Sequence, residues 1–331
     1  MQKKLARFSL FVLIYNIFVI LFGAYVRASQ SGAGCGAHWP SCQGEIIPIN
    51  PIVETVIEFT HRITSGLALI FITLLVVFVF RWVKGKSKIK NAAILALVFT
   101  VLEALIGAGL VLFELVGDND SIARAVIIAL HLINTFMLLA SLILVFEWTR
   151  FSEPDKFVFP KGTVFWSILL TVSVFLLAAS GAITALGDTL FPSASFLEGM
   201  RQDATPGVHF LIQLRVYHPL IAILVGISIF FSLRYLAKIT SNPKLYQYSV
   251  FLQILFLIQI FLGGLNVLLL APIWMQIIHL LFADLIWLTY VLVLNQVAAI
   301  PGDSFASSPL RKSSNQPDYI RAGQVDSMPN K

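Results

Sequence analysis

The sequence predicts an all-α integral membrane protein: eight transmembrane helices forming two four-helix bundles related by a pseudo-twofold axis, with both termini cytoplasmic. Three observations carry that expectation. Apolar runs recur that are each long enough to cross a bilayer, basic residues gather at one end of them, and a motif pattern repeats between the two halves. The composition agrees, with 58% hydrophobic residues, 12% charged residues, 27 Phe and a mean hydropathy of +0.86. Soluble domains average about 25% charged residues.

A helix needs roughly 20 apolar residues to span a ~30 Å hydrocarbon core. Eight runs meet this length, at 6–28, 56–82, 91–113, 124–147, 163–186, 208–235, 247–270 and 273–298, the last two hinged near Ala271 and Pro272. The first run is too long for a cleaved signal peptide and continues the pattern of the others. Eighteen of the 23 basic residues fall at one end of these helices, including the cluster "RWVKGKSKIK". Arg27, Arg62, Arg124, Arg201 and Arg215 fall at the other. The positive-inside rule therefore places both termini in the cytoplasm, in a bacterial cell membrane crossed many times and surrounded by lipid. The net charge of +6 is this loop bias, so no nucleic-acid partner is implied. Residues 301–331, rich in Ser, Pro, Asp and Asn, read as a disordered tail.

Both cysteines lie in the first outer loop, "CGAHWPSC". On an oxidising side Cys35 and Cys42 are placed to close a short disulfide, structural or redox-active. The alternative is a metal site of Cys35, His38 and Cys42, which lacks an evident fourth ligand.

"GAYVRASQSG" at the end of the first run has a counterpart in "GAITALGDTL" at the end of the fifth. Gly107 and Gly109 in the third run match Gly263 and Gly264 in the seventh, where small residues let helices approach closely. The chain thus divides into halves at 1–150 and 151–300, each with an even number of crossings and so of the same orientation.

Four of the six histidines, His61, His131, His218 and His279, fall one each on helices two, four, six and eight. Each lies about five to ten residues from the outer end, roughly 8 to 15 Å deep at 1.5 Å per residue. A lone histidine in a membrane helix often only bonds to a neighbouring helix. Four at matched depth in two repeats fit a different purpose, since neutral imidazole is an axial ligand of heme iron and one pair per half would hold two hemes. Zinc would be left short of ligands. His38 and His209 break the repeat and read as structural or solvated. Arg62, Arg124 and Arg215 lie where heme propionates would emerge, although interfacial snorkelling also accounts for them.

In "EFTHRITSG", Glu58 precedes His61 by three residues and Arg62 by four, on one helical face. An ion pair with Arg62 would lower a burial cost of ~2.5 to 3.5 kcal/mol per charge at mid-membrane. In the second half the matching stretch is "RVYH", which puts Arg215 where the first half has Glu58. That asymmetry suggests that one heme is worked upon and the other is fixed. Glu103, Glu114 and Asp284 are weaker candidates, because none precedes a histidine in this way.

Together "GAYVRASQSG", "CGAHWPSCQG", "EFTHRITSG", "ALHLINTFMLLASL", "RVYHPLIAIL" and "IIHLLFADLIW" resemble the bacterial heme A synthase family over roughly residues 6–298. The resemblance implies oxidation of a heme O methyl group to the formyl group of heme A, for assembly of terminal oxidases. The route is successive hydroxylation and loss of water from a diol, using oxygen and electrons from a donor that the sequence does not identify. It implies His61 and His131 as ligands of substrate heme O, His218 and His279 as ligands of heme b, Glu58 as the essential acid, and heme O synthase as a partner. Many relatives carry a second cysteine pair in the third outer loop, where this chain has "FPSASFLEGMRQDATPG" and no cysteine. Two other classes share some of these features. One is a di-heme b cytochrome passing electrons from quinol to a partner, which would have no use for a lone Glu58. The other is a transporter with parallel repeats, whose site would be expected nearer the midplane.

Overall fold

The computed structural model describes residues 2–154, 157–239 and 242–299, so the expected tail lies outside the described residues. Helices α1 (Gln2–Ala28), α2 (Val53–Trp82), α3 (Lys88–Leu112), α4 (Ile122–Phe151) and α5 (Lys161–Leu190) come first. They are followed by α6 (Phe196–Ala204), α7 (Phe210–Leu214), α8 (Tyr217–Ile239), α9 (Pro243–Leu268) and α10 (Ile273–Ala298). Among the described residues, eight spans, with α7 and α8 sharing one, are long and apolar enough to cross a membrane. No strand occurs among the described residues.

Local chemistry sets the helix starts. Ser87, Ser121 and Ser195 accept the N–H groups of Ile89, Arg124 and Glu198 to cap α3, α4 and α6, and Asn242 caps α9, which has Pro243 in its first turn. The helix ends also match between the halves. Glu114 (φ 54°) follows α3 and Leu270 (φ 61°) follows α9, each two residues past the last helical position. The sequence predicts one continuous helix over 208–235, but the chain turns at Arg215 and Val216 between α7 and α8. Pro219 has no N–H to give the Arg215 carbonyl, and its ring crowds that oxygen. The loop before this span also contains α6, a short helix that the loop reading of "FPSASFLEGMRQDATPG" lacks.

The packing order of the helices is cyclic. α1 packs on α2 and α4, and α3 packs on α2 and α4; in the second half, α8 packs on α5 and α9, and α10 on α9 and α5. Between the sets, α4 meets α10, α1 meets α10, and α5 meets α4, which is the contact pattern that a twofold exchange produces. α4 and α10 are central, with 50% and 44% of their apolar windows buried against 28% or less elsewhere. Polar bonds cross this seam: Trp148 Nε1 donates to Asn295 Oδ1 (2.9 Å), and Trp287 Nε1 to the Phe136 carbonyl. Such bonds between helices satisfy polar groups where lipid offers none.

Gly226 on α8 lies under the Phe256 ring of α9, where an added Cβ would come within 2.5 Å of Cε1. Gly226→Ala overpacks that contact and is expected to cost roughly 1–3 kcal/mol. A thermal melt of the protein in detergent should show a lowered midpoint, and an unchanged midpoint would contradict this packing.

Candidate functional site

The loop between α1 and α2 is closed by a disulfide between Cys35 and Cys42, which removes the metal-site reading of these cysteines with His38. Gly34 presses this loop onto the first turn of α2; a Cβ there would lie 2.4–2.6 Å from the backbone of Glu54 and Thr55. Thr55 Oγ1 donates to the Gly34 carbonyl (2.7 Å). Glu58 is buried, and its Oε2 accepts the Cys35 N–H at 2.7 Å while its Oε1 pairs with Arg62. The remaining Arg62 nitrogen, Nη1, donates to the carbonyls of His38 (2.7 Å) and Ser41 (2.6 Å). The dense bonding has a physical reason: a carboxylate in an apolar setting is costly unless donors surround it. Arg62, expected beside propionates, is instead spent on Glu58 and the loop.

The four histidines stand on helices α2, α4, α8 and α10, and three of them rest against glycine. A Cβ at Gly23 would meet His61 Cε1 at 3.0 Å, one at Gly181 would meet His218 Cε1 at 2.9 Å, and one at Gly263 would meet His279 Cε1 at 3.2 Å. The matched motifs "GAYV" and "GAIT" therefore do the same work, flooring a ring on the neighbouring helix. The structure brings His218 and His279 together, with ring centroids 6.5 Å apart and planes at 81°.

The ring nitrogens differ in their partners. Ser180 Oγ lies 2.8 Å from the Leu177 carbonyl and 3.0 Å from His218 Nδ1, bridging the two. Gln259 Nε2 lies 3.1 Å from His279 Nε2 and donates to the His279 carbonyl at 3.1 Å. His131 Nδ1 sits 3.4 Å from Glu103 Oε1, and His61 touches the Phe22 ring edge-on. The Nδ1 atoms of His61, His131 and His279 are buried without a hydrogen bond.

The other charged candidates separate clearly. Arg124 Nη1 bonds the carbonyls of Gly117 and Asn119, both at 2.6 Å, while its Nε is buried and unpartnered. Arg215 pairs with Asp188 (3.2 Å) and Asp203 (3.4 Å), leaving Nη2 buried without a partner. Burial pushes the Asp203 carboxyl up, against the pull of Arg215. Glu114 lies two residues past the end of α3 with φ 54°, and His209 caps α7 while pairing with Asp120. Asp284 is fully buried, five residues beyond His279, with neither oxygen bonded. Sequence reasoning counts Arg27 only as an outer-end charge. In the structure it crosses from α1 to the Ala185 carbonyl (2.7 Å), Thr189 Oγ1 (2.8 Å) and Gln276 Oε1 (2.8 Å), joining the two halves. Its place four residues after the ring-flooring Gly23 was the available signal.

The apolar helices define a multi-pass helical membrane protein, in which His218 and His279 are paired and three of the four histidines rest against glycine. A family model described as "Cytochrome oxidase assembly protein" (COX15-CtaA) matches residues 6–291, and the chain belongs to that family. It is similar to a Thermus thermophilus protein named protoheme IX farnesyltransferase, with 47% identity over 290 residues that cover 87% of this chain and 48% of the relative. The chain thus spans about half the length of that relative. It is also similar to proteins named heme A synthase from Halalkalibacterium halodurans (30% identity, 89% of this chain, 99% of the relative) and Alkalihalophilus pseudofirmus (27%, 88% and 98%).

Gly34→Ala should lift the cysteine loop from α2 and break the Cys35–Glu58 bond. A hydrogen bond to a charged group is worth roughly 1.5–3 kcal/mol, so amide exchange at Cys35 should speed up by about tenfold or more. Unchanged exchange in the peptide holding Cys35 would contradict this docking.

Proposed function

We propose that the protein is a heme A synthase, a membrane oxidoreductase that converts a methyl group of heme O into the formyl group of heme A for terminal-oxidase assembly. The observation that supports this reading is the pairing of His218 with His279, with glycine against His61, His218 and His279 alike, in a chain of the cytochrome oxidase assembly family. The 6.5 Å between the His218 and His279 centroids leaves room for a metal with bonds of about 2 Å to each ring. The buried, unpartnered Nδ1 atoms of His61 and His279 suit rings kept for metal ligation rather than for structural bonding.

In this reading the first half, 1–150, binds substrate heme O through His61 and His131, and the second half, 151–300, holds heme b through His218 and His279. Heme b supplies one-electron transfer when bound. Arg124 and Arg215, with buried nitrogens to spare, are placed to bind propionates. Glu58 stands one turn before His61, and its carboxylate carries the proton that each hydroxylation of the methyl group moves. The disulfide loop holds that carboxylate in place through the Cys35 N–H and shields it from water. The cysteine-loop end faces the outside of a bacterial cell membrane, and both termini face the cytoplasm. A heme O synthase delivers the substrate, a partnership supported by the Thermus relative, whose printed name is a heme-farnesylating activity and half of whose length this chain matches. Two molecules of oxygen, four electrons from a donor and four protons take the methyl group through an alcohol to a diol, which loses water to leave the formyl group, and the remaining two oxygen atoms depart as water.

Pigments extracted from the purified protein test this assignment. Heme O or heme A alongside heme b is the expected result, whereas heme b alone would mark a di-heme cytochrome. Glu58→Gln should retain heme while heme A output falls by two orders of magnitude or more, a general acid–base contribution being about 10²–10⁴-fold. Undiminished heme A from this variant would remove Glu58 from the reaction.

A further inference from the structure

Glu103 and Gln259 occupy the same place in the two halves. α3 ends at Leu112 before a left-handed Glu114, and α9 ends at Leu268 before a left-handed Leu270, so positions 103 and 259 lie at the same distance from matched helix ends. Each reaches the histidine of the next helix, one as an acid and the other as an amide. Glu103 Oε1 approaches His131 at Nδ1 (3.4 Å), whereas Gln259 approaches His279 at Nε2 (3.1 Å).

The surroundings differ to match. Asn134 Nδ2 donates to Glu103 Oε2 and to the Phe99 carbonyl (2.9 Å), and Thr135 Oγ1 donates to Glu103 Oε1 at 2.5 Å. Asn134 and Thr135 follow His131 by three and four residues, so the carboxylate is docked on the same turn of α4 that carries the ring. The residues three and four beyond His279 are Phe282 and Ala283, whose side chains donate nothing. The first half is therefore built to keep a carboxylate behind its histidine and the second half is not.

We propose that Glu103, 3.4 Å from His131 Nδ1, is a positioning residue that takes up the Nδ1–H when heme binds in the first half, commits Nε2 to its iron, and makes that imidazole the more electron-rich ligand. A carboxylate behind a ligating imidazole fixes its tautomer and strengthens its donation to the metal, and loss of such a partner typically weakens metal binding by about 10–100-fold. The second half, with a neutral amide at the other nitrogen, lacks this push. Its iron is easier to reduce, as suits a site that passes electrons rather than one where substrate is oxidised. The inference rests on the reading of the four histidines as heme ligands.

The test uses the full chain loaded with hemin as the probe. Release of hemin to an apo-globin acceptor and a redox titration followed at the Soret band should each resolve two components. Glu103→Gln should speed release of one component by about 10–100-fold and raise its midpoint potential, leaving the other component unmoved. Thr135→Val removes one donor and retains the carboxylate, so it should shift the same component in the same direction by less; it decides the question if Glu103→Gln does not fold. If the wild-type protein binds no hemin, the heme reading itself fails. If it binds two hemins and neither variant moves either component, the heme reading stands and the role given to Glu103 is overturned.

Discussion

Three of the four imidazole rings inside this helical bundle stand against a face of the neighbouring helix that carries no side chain. Gly23, Gly181 and Gly263 provide that face, each leaving 2.9–3.2 Å between its would-be Cβ and a ring carbon. A methyl group at any of them would displace the ring, and with it the lone pair that a metal would meet. Much of the rest of the structure follows from this constraint. The helices must approach closely there, which is why small residues gather at those levels, and polar bonds such as Trp148–Asn295 hold the central α4 and α10 in register.

The fourth ring, His131, shows how the two halves depart from their common plan. Gly107, the counterpart of Gly263, has nothing within 4 Å of its would-be Cβ, so glycine does not seat this ring. A docked carboxylate takes over that task. At the cysteine-loop end the same divergence recurs, with Glu58 bound to a disulfide loop in one half and Arg215 paired with Asp188 and Asp203 in the other. In the proposed reading, these different charges around the histidines separate what the two halves do. Arg27 ties them back together across the seam, from the helix that floors His61 to the turn of α10 just before His279.

The eight spans were legible because a bilayer imposes one requirement, about 20 apolar residues, that can be counted without any knowledge of packing. The placing of the four histidines one to a long helix was legible for a related reason, since spacing along the chain fixes which helix each residue joins. What could not be read depends on contacts between segments far apart in sequence. Glu58 and Arg62 form the ion pair that their spacing suggests, but their bonds to a loop some 20 residues earlier were not readable, because they depend on Gly34 letting that loop lie directly on α2. Glu103 ranked low because its histidine lies on the next helix and not on its own. The break at Arg215 was signalled by Pro219, which a count of apolar residues passes over.

Low-temperature magnetic circular dichroism of the heme-loaded ferric protein, read in the near infrared where axial ligands are distinguished, tests the pairing of imidazoles most directly. The account predicts low-spin signals of bis-imidazole iron, with His218→Ala and His279→Ala each abolishing one and the same component. Purely high-spin iron, or a bis-imidazole signal that survives both substitutions intact, would contradict it.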